Sequence, residues 1–299
     1  MKRNLLVSFC ALLLAIPLLC AASCSTEPAL LQLIGAESES PVFIGAKALS
    51  KTELEFRFSK YVQLNKCYFS NNLEMAAREN GQKLGITLKQ GLDGGERFTA
   101  DLLVEDDVGN TLNVLVPLTA RNDDMPELLI SEVRSAYKGI QNKGKSNESP
   151  AKSEFIELLA KTDGNLGAIR LDIEDEKRAG PLFEFPPCKV KAGDYIVLYL
   201  RTLADDSYNE AAPNAHIFKL PEAKKRIKND NALITLLNQD DQIIDSLEFE
   251  SKDCSENRTI NRKADGSWYV SHHSGAKKGV AGFTPGKANN TKEYVPKVK

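Results

Sequence analysis

The sequence predicts an all-β chain, two β-sandwiches in tandem behind an N-terminal targeting segment, and three observations carry that prediction. Between Glu127 and Phe249, seven short runs rich in Ile, Leu, Val, Phe and Tyr are separated by Gly, Asn, Asp and Pro, the pattern of strands joined by turns. Between Ala29 and Asn122 a second series of runs alternates apolar and polar residues, which puts one face of each strand in a core. The chain begins with Lys2-Arg3 and an almost uninterrupted apolar run from Leu5 to Leu19, too short and wrongly flanked for a permanent membrane helix.

In order, residues 1–23 read as a signal peptide and 24–29 as a polar leash. Strand signals then come at Leu30–Ile34, Val42–Ala48, Thr52–Phe58, Cys67–Phe69, Leu73–Ala77 and Leu84–Leu88. In Thr52–Phe58 the alternation is clean, with Leu54, Phe56 and Phe58 on one face and Glu53, Glu55 and Arg57 on the other. Arg97–Val104 and Thr111–Leu118 form the strongest hairpin, because Gly109 and Asn110 tolerate the positive φ that a tight connection needs. These runs make a first sandwich over 30–122, and residues 123–126 are a polar linker closed by Pro126.

The second sandwich spans 127–289. Its runs are Glu127–Val133, Ser153–Leu159, Ala168–Ile173, Phe183–Val190, Gly193–Leu200, Ala232–Asn238 and Gln242–Phe249. Two insert loops interrupt it, 135–152 and 204–231, and Pro221–Lys228 in the second is expected to make a helical turn. From Glu250 onward the chain reads as mostly irregular, with Trp268–Val270 lying down on the sandwich and 290–299 a flexible tail.

The order of these pieces resembles the lamin-tail domain, an immunoglobulin-like module. The matching pieces are Ile130-Ser-Glu-Val133, Glu154-Phe-Ile-Glu-Leu158, Phe185-Pro-Pro187 and Gly193-Asp-Tyr-Ile-Val-Leu198. They continue with Ile234–Asn238, Ile243-Ile-Asp245, Asn257-Arg258 and Thr284-Pro-Gly-Lys-Ala-Asn289. The turn at Asp106–Asn110 similarly resembles the last hairpin of bacterial immunoglobulin-like modules. The resemblance implies two immunoglobulin-like β-sandwich domains in tandem and a module that binds or scaffolds, with no catalytic residue to carry over.

Composition bounds the function. Of 299 residues, 42% are hydrophobic and 27% charged, a globular composition. The net charge is −2, and without Lys2 and Arg3 it becomes −4. That leaves no surplus of cations for general nucleic-acid binding. Ala21-x-Ser23 fits an ordinary secretory cleavage site, while Ala21-Ala-Ser-Cys24 resembles a relaxed bacterial lipobox with Ala where Leu is usual. The Cys at the cleavage point, followed by polar Ser25-Thr-Glu27, favours the second reading: lipidation at Cys24 and a membrane anchor outside the cytoplasm. One acyl chain binds reversibly and two or three hold firmly, at ~0.8 kcal/mol per buried methylene.

With Cys24 acylated, Cys67, Cys188 and Cys254 remain. The candidate disulfide is Cys188 with Cys254, both in one domain of an exported chain; all thiols reduced is the alternative. Gly139–Ser146 matches the phosphate-loop pattern letter for letter, but Pro150 follows too soon for the helix that chemistry needs. His216, His272 and His273 stand in no metal or nucleophile motif. Glu154 and Glu157 point to opposite faces of one strand and make no acid–base pair from that strand alone. Asp172, Glu174, Asp175 and Glu176 read as a solvated acidic turn lacking a calcium loop. Lys224, Lys225, Arg226 and Lys228 form the one basic cluster, a candidate patch for an anionic partner.

The expectation is a non-catalytic envelope protein with neither cofactor nor metal, held to a membrane by its N-terminal lipid and binding a protein or polysaccharide. The alternatives are an accessory substrate-binding subunit of an envelope hydrolase and a simply secreted adhesin.

Overall fold

Alternation fixes the first unit. The structure, a computed structural model, describes residues 39–135, 154–175, 181–200, 211–220, 227, 232–250, 258–272 and 284–289. Among them every regular element is a strand. They divide into two compact units, one reaching Gln90 and including Phe98–Leu118, the other formed by Gly91–Arg97 and the chain from Thr119. The first unit holds β1 (Phe43–Ala48), β2 (Glu53–Phe58), β3 (Gln63–Phe69), β4 (Met75–Glu79), β5 (Lys83–Leu88), β6 (Arg97–Glu105) and β7 (Thr111–Thr119). The sheets run β1-β2-β5-β4 and β3-β6-β7, the strand order of a seven-stranded immunoglobulin sandwich.

Leu54, Phe56 and Phe58 of β2 and Phe98, Ala100, Leu102 and Val104 of β6 are all buried, alternate residues of each strand as period two requires. Gly109 turns the β6–β7 connection at φ +91°. There Asp106 Oδ1 accepts the N–H groups of Val108 and Asn110 at 3.1 and 2.8 Å. The run expected at Leu30–Ile34 lies outside the described residues.

The second unit contains β8 (Leu128–Arg134), β9 (Phe155–Ala160), β10 (Gly164–Asn165), β11 (Arg170–Asp175), β12 (Pro181–Glu184), β13 (Lys189–Val190), β14 (Tyr195–Tyr199), β15 (His216–Lys219), β16 (Ala232–Leu237), β17 (Ile243–Phe249), β18 (Arg258–Arg262) and β19 (Trp268–His272). A four-stranded sheet, β12-β11-β16-β17, faces a six-stranded one, β15-β14-β9-β8-β18-β19. Ile130, Ile156, Leu158, Ile196 and Leu198 from the larger sheet pack with Leu171, Ile173, Ile234, Leu236 and Leu247 from the smaller. Phe183, Phe185 and Phe218 pack edge to face or tilted, with centroids 5.0 to 5.9 Å apart, linking the β12 edge to the β15 edge.

Three expectations are corrected here. Among the described residues beyond Glu250, 258–272 are not irregular: β18 and β19 form an antiparallel hairpin, and β18 extends the large sheet by pairing with β8. Part of the insert 204–231 is strand, since β15 runs parallel to β14. The acidic stretch from Asp172 is strand rather than turn, and Arg170 holds Asp172 at 2.9 Å; Glu176 lies outside the described residues.

Candidate functional site

In β9, Ile156, Leu158 and Ala160 face the core, and parity sends Phe155, Glu157 and Leu159 to the opposite face. That second face is also buried. Phe155, Val197 and Tyr199 form a small apolar cluster there, packed against Ala211, Ala215 and Ile217. Beside it lie Glu132 and Glu157, each 0% exposed and directly opposite one another across β8 and β9. Thr259, Asn261 and Ser271 complete a buried polar surface, with Thr259 Oγ1 2.8 Å from Ser271 Oγ and Asn261 Nδ2 donating to both.

A strap covers this surface, and three of its motif residues, Thr284, Gly286 and Asn289, bind the sheet. Thr284 Oγ1 donates to Glu132 Oε2 at 2.8 Å, and Gly286 N–H donates to Glu157 Oε2 at 2.6 Å. Asn289 Nδ2 donates to the carbonyls of Ser131 and Arg262 at 3.0 and 3.2 Å. Ala212 N–H donates to Pro285 O at 3.0 Å, so two loop segments close the face together.

Two buried carboxylates so close cannot both ionise easily. Burial pushes Glu132 up to about 7, against donation from Thr284 and Thr259. Burial and then the Glu132 charge push Glu157 up to about 8. Burial favours the protonated form of the pair, and beneath the strap both side chains are fully buried. Its chemistry is that of a latch.

Open space lies beside the latch. A cavity of about 530 Å³ is lined by apolar Leu129 and Leu159, by Ser131 and the strap's Asn289, by Tyr195 and Tyr269, and by the cations Lys161, Arg262 and Lys263. Among the described residues no carboxylate lines it. Arg262 is positioned by Asp245, whose Oδ1 accepts from it at 2.8 Å and whose other oxygen accepts the Ile130 N–H at 2.7 Å; the guanidinium also stacks 4.6 Å over Trp268. Lys263 Nζ lies 5.5 Å from the Tyr269 ring. Among the described residues Lys161 makes no ion pair.

The residues singled out from sequence scatter. Cys24, Cys254, the P-loop-like stretch Gly139–Ser146 and the cluster Lys224, Lys225, Arg226 and Lys228 lie outside the described residues. Cys188 is half-buried beside His216, which sequence reasoning placed in no chemical setting: Nδ1 is 3.5 Å from Cys188 Sγ, and Nε2 is 3.0 Å from Asp194 Oδ2. Among the described residues no group of three His, Cys, Asp or Glu side chains is gathered to hold a metal ion. The Glu132–Glu157 pair and the cavity were both missed. The signal for the pair was present: Phe155 and Leu159 share a face with Glu157, so that face had to be buried.

A protein-family model described as "protein second domain" matches residues 126–278, just over half of the chain. No curated protein matches it.

Proposed function

The chain belongs to that family, and from this premise we propose that it is a non-catalytic envelope protein, lipid-anchored through Cys24, whose second, lamin-tail-like domain binds an acidic polysaccharide. The observation that carries the reading is the cavity beside the strap: three cations, two tyrosines and two leucines line it, with no acid among the described lining residues. Its size lies within the range of small-ligand sites. Lys161 and Lys263 offer charge to uronate carboxylates, half-buried Tyr195 offers a flat ring to a sugar face, and Ser131 and Asn289 offer hydrogen bonds to hydroxyls. Ala288 and Asn289, the end of the strap motif, are among the lining residues, which ties the lamin-tail resemblance to the site.

The test is calorimetric titration of the purified protein with polygalacturonate and with neutral dextran. Binding to the acidic polymer alone is expected, weakening as salt rises. Lys161→Ala is expected to weaken it by roughly 5-fold, because one exposed cation contributes about 1 kcal/mol. Equal binding to dextran, or none to polygalacturonate, overturns the reading of the cavity.

The anchor is tested separately. Intact mass of the mature protein from its native host is expected to carry acyl chains that a Cys24→Ala variant lacks, together with its retention in the membrane fraction. An unmodified wild-type N-terminus makes the protein a released one.

A further inference from the structure

Cys188, Asp194 and His216 come from three separate stretches: the turn before β13, the turn before β14, and edge strand β15. The parallel pairing of β15 with β14 sets Ile196 beside His216 and so brings the imidazole over Asp194. The carboxylate is itself fixed, its Oδ2 accepting the Lys191 N–H at 2.8 Å. That N–H and the His216 ring hold Asp194 below the usual carboxylate range. A carboxylate accepts only, so Nε2 carries the proton and Nδ1 presents a lone pair to the Cys188 thiol 3.5 Å away. The two nitrogens face different partners, so the three side chains form a line and not a metal cage. A thiol, a base and an orienting acid in line are the parts of an activated nucleophile.

We propose that Cys188 is a reactive thiol that captures disulfide-bearing partners by thiol–disulfide exchange, with His216 as its base and Asp194 as the residue that positions His216. Sγ attacks one sulfur of the partner's disulfide as its proton passes to His216 Nδ1. A new S–S bond forms to Cys188, the partner's S–S bond breaks, and the departing thiolate takes the proton from His216. No outside oxidant is consumed.

The surroundings favour exchange at sulfur over acyl transfer. Acyl transfer needs donors for a developing oxyanion, and the Cys188 N–H is already given to Asn165 Oδ1 at 2.9 Å. Exchange puts its charge on the leaving sulfur and needs no such donor. Burial and the Asp194 charge push the Cys188 thiol up, so the thiolate is not stored in advance. Proton removal accompanies attack, which is the work of a base in contact with the sulfur. Cys67 is the internal control: burial and the Asp101 charge push it up to about 12, and no such base contacts it among the described residues.

The inference is independent of the polysaccharide reading, and its failure leaves that reading standing. The reduced full-length mature protein is mixed with oxidised glutathione at pH 7, and each thiol is followed by peptide mass. Cys188 is expected to gain glutathione faster than Cys67. In His216→Ala its rate is expected to fall by at least about 10-fold, to recover in part when free imidazole is added, and to do so at an unchanged unfolding midpoint. Asp194→Asn is expected to slow it less, with no rescue by imidazole. Three results overturn the proposal: a smaller fall in His216→Ala, no response to imidazole, or a protein that arrives with Cys188 already bonded to Cys254.

Discussion

Two strands of similar length show how differently a sheet can be used. In β2 the burial alternates, with Leu54, Phe56 and Phe58 inside and Glu53 and Arg57 in water. In β9 nearly every residue is buried, because loop segments cover the face that water covers on β2. On β2 a charged residue sits outside and carries little information. On β9 a charged residue sits between layers, where it must be bonded or neutralised. The same alternation therefore yields a surface carboxylate in one unit and a buried carboxylate pair in the other. A third layer over a sandwich turns its outward positions into sites.

The largest expected effect tests whether that neutralisation is real. Both folded carboxylates are pushed above the ordinary value of 4.5, to about 7 and about 8. Below pH ~4.5 both folded and unfolded chains hold the protons, and the pair's contribution is fully present. As pH rises to about 8 the unfolded chain has released protons that the folded one keeps, so stability is lost; above that the loss is complete. Trp268, the single tryptophan, lies in β19 and reports on the second unit alone. Its fluorescence in urea, compared between wild type and Glu132→Gln/Glu157→Gln, is expected to diverge from pH 5 to 8 by on the order of 6 kcal/mol in favour of the variant. Parallel curves would mean that the two carboxylates stay ionised under the strap.

How much of this was legible in the sequence follows from which face is polar. Thr52–Phe58 and the Arg97–Leu118 hairpin were readable because one face of each strand meets water and the period shows. The runs of the second core were readable because both faces of β8, β9 and β14 are rich in apolar residues. Arg258–Arg262 was not readable, because Ile260 is its only apolar residue: Thr259 and Asn261 serve the buried polar layer, so a covered strand carries the composition of a loop. Thr284, Gly286 and Asn289 were visible as a motif but not as a strap, since nothing local to them names Glu132, Glu157 or Ser131 as partners. The line of Cys188, His216 and Asp194 depends on β15 returning parallel to β14, and a four-residue strand inside a charged insert gives too short a period to detect.

The smaller effect separates covering from turning. Gly286 and Gly193 both stand at positive φ, +81° and +92°, where a Cβ is strained. Beyond Gly193 there is nothing within 4 Å, so Gly193→Ala adds only that backbone strain, about 1 kcal/mol. At Gly286 a Cβ would lie 2.7 Å from Ala215 Cβ and 2.8 Å from Ala212 N. The two covering segments would have to part, and the Gly286 N–H would move away from Glu157. Gly286→Ala is therefore expected to lower the stability reported by Trp268 by about 3 kcal/mol. It is also expected to steepen the dependence on pH, because a displaced strap removes a donor from an already disfavoured charge. Equal losses from the two substitutions would show that the strap rests on the sheet without holding it, and the buried pair would then need another explanation for its tolerance.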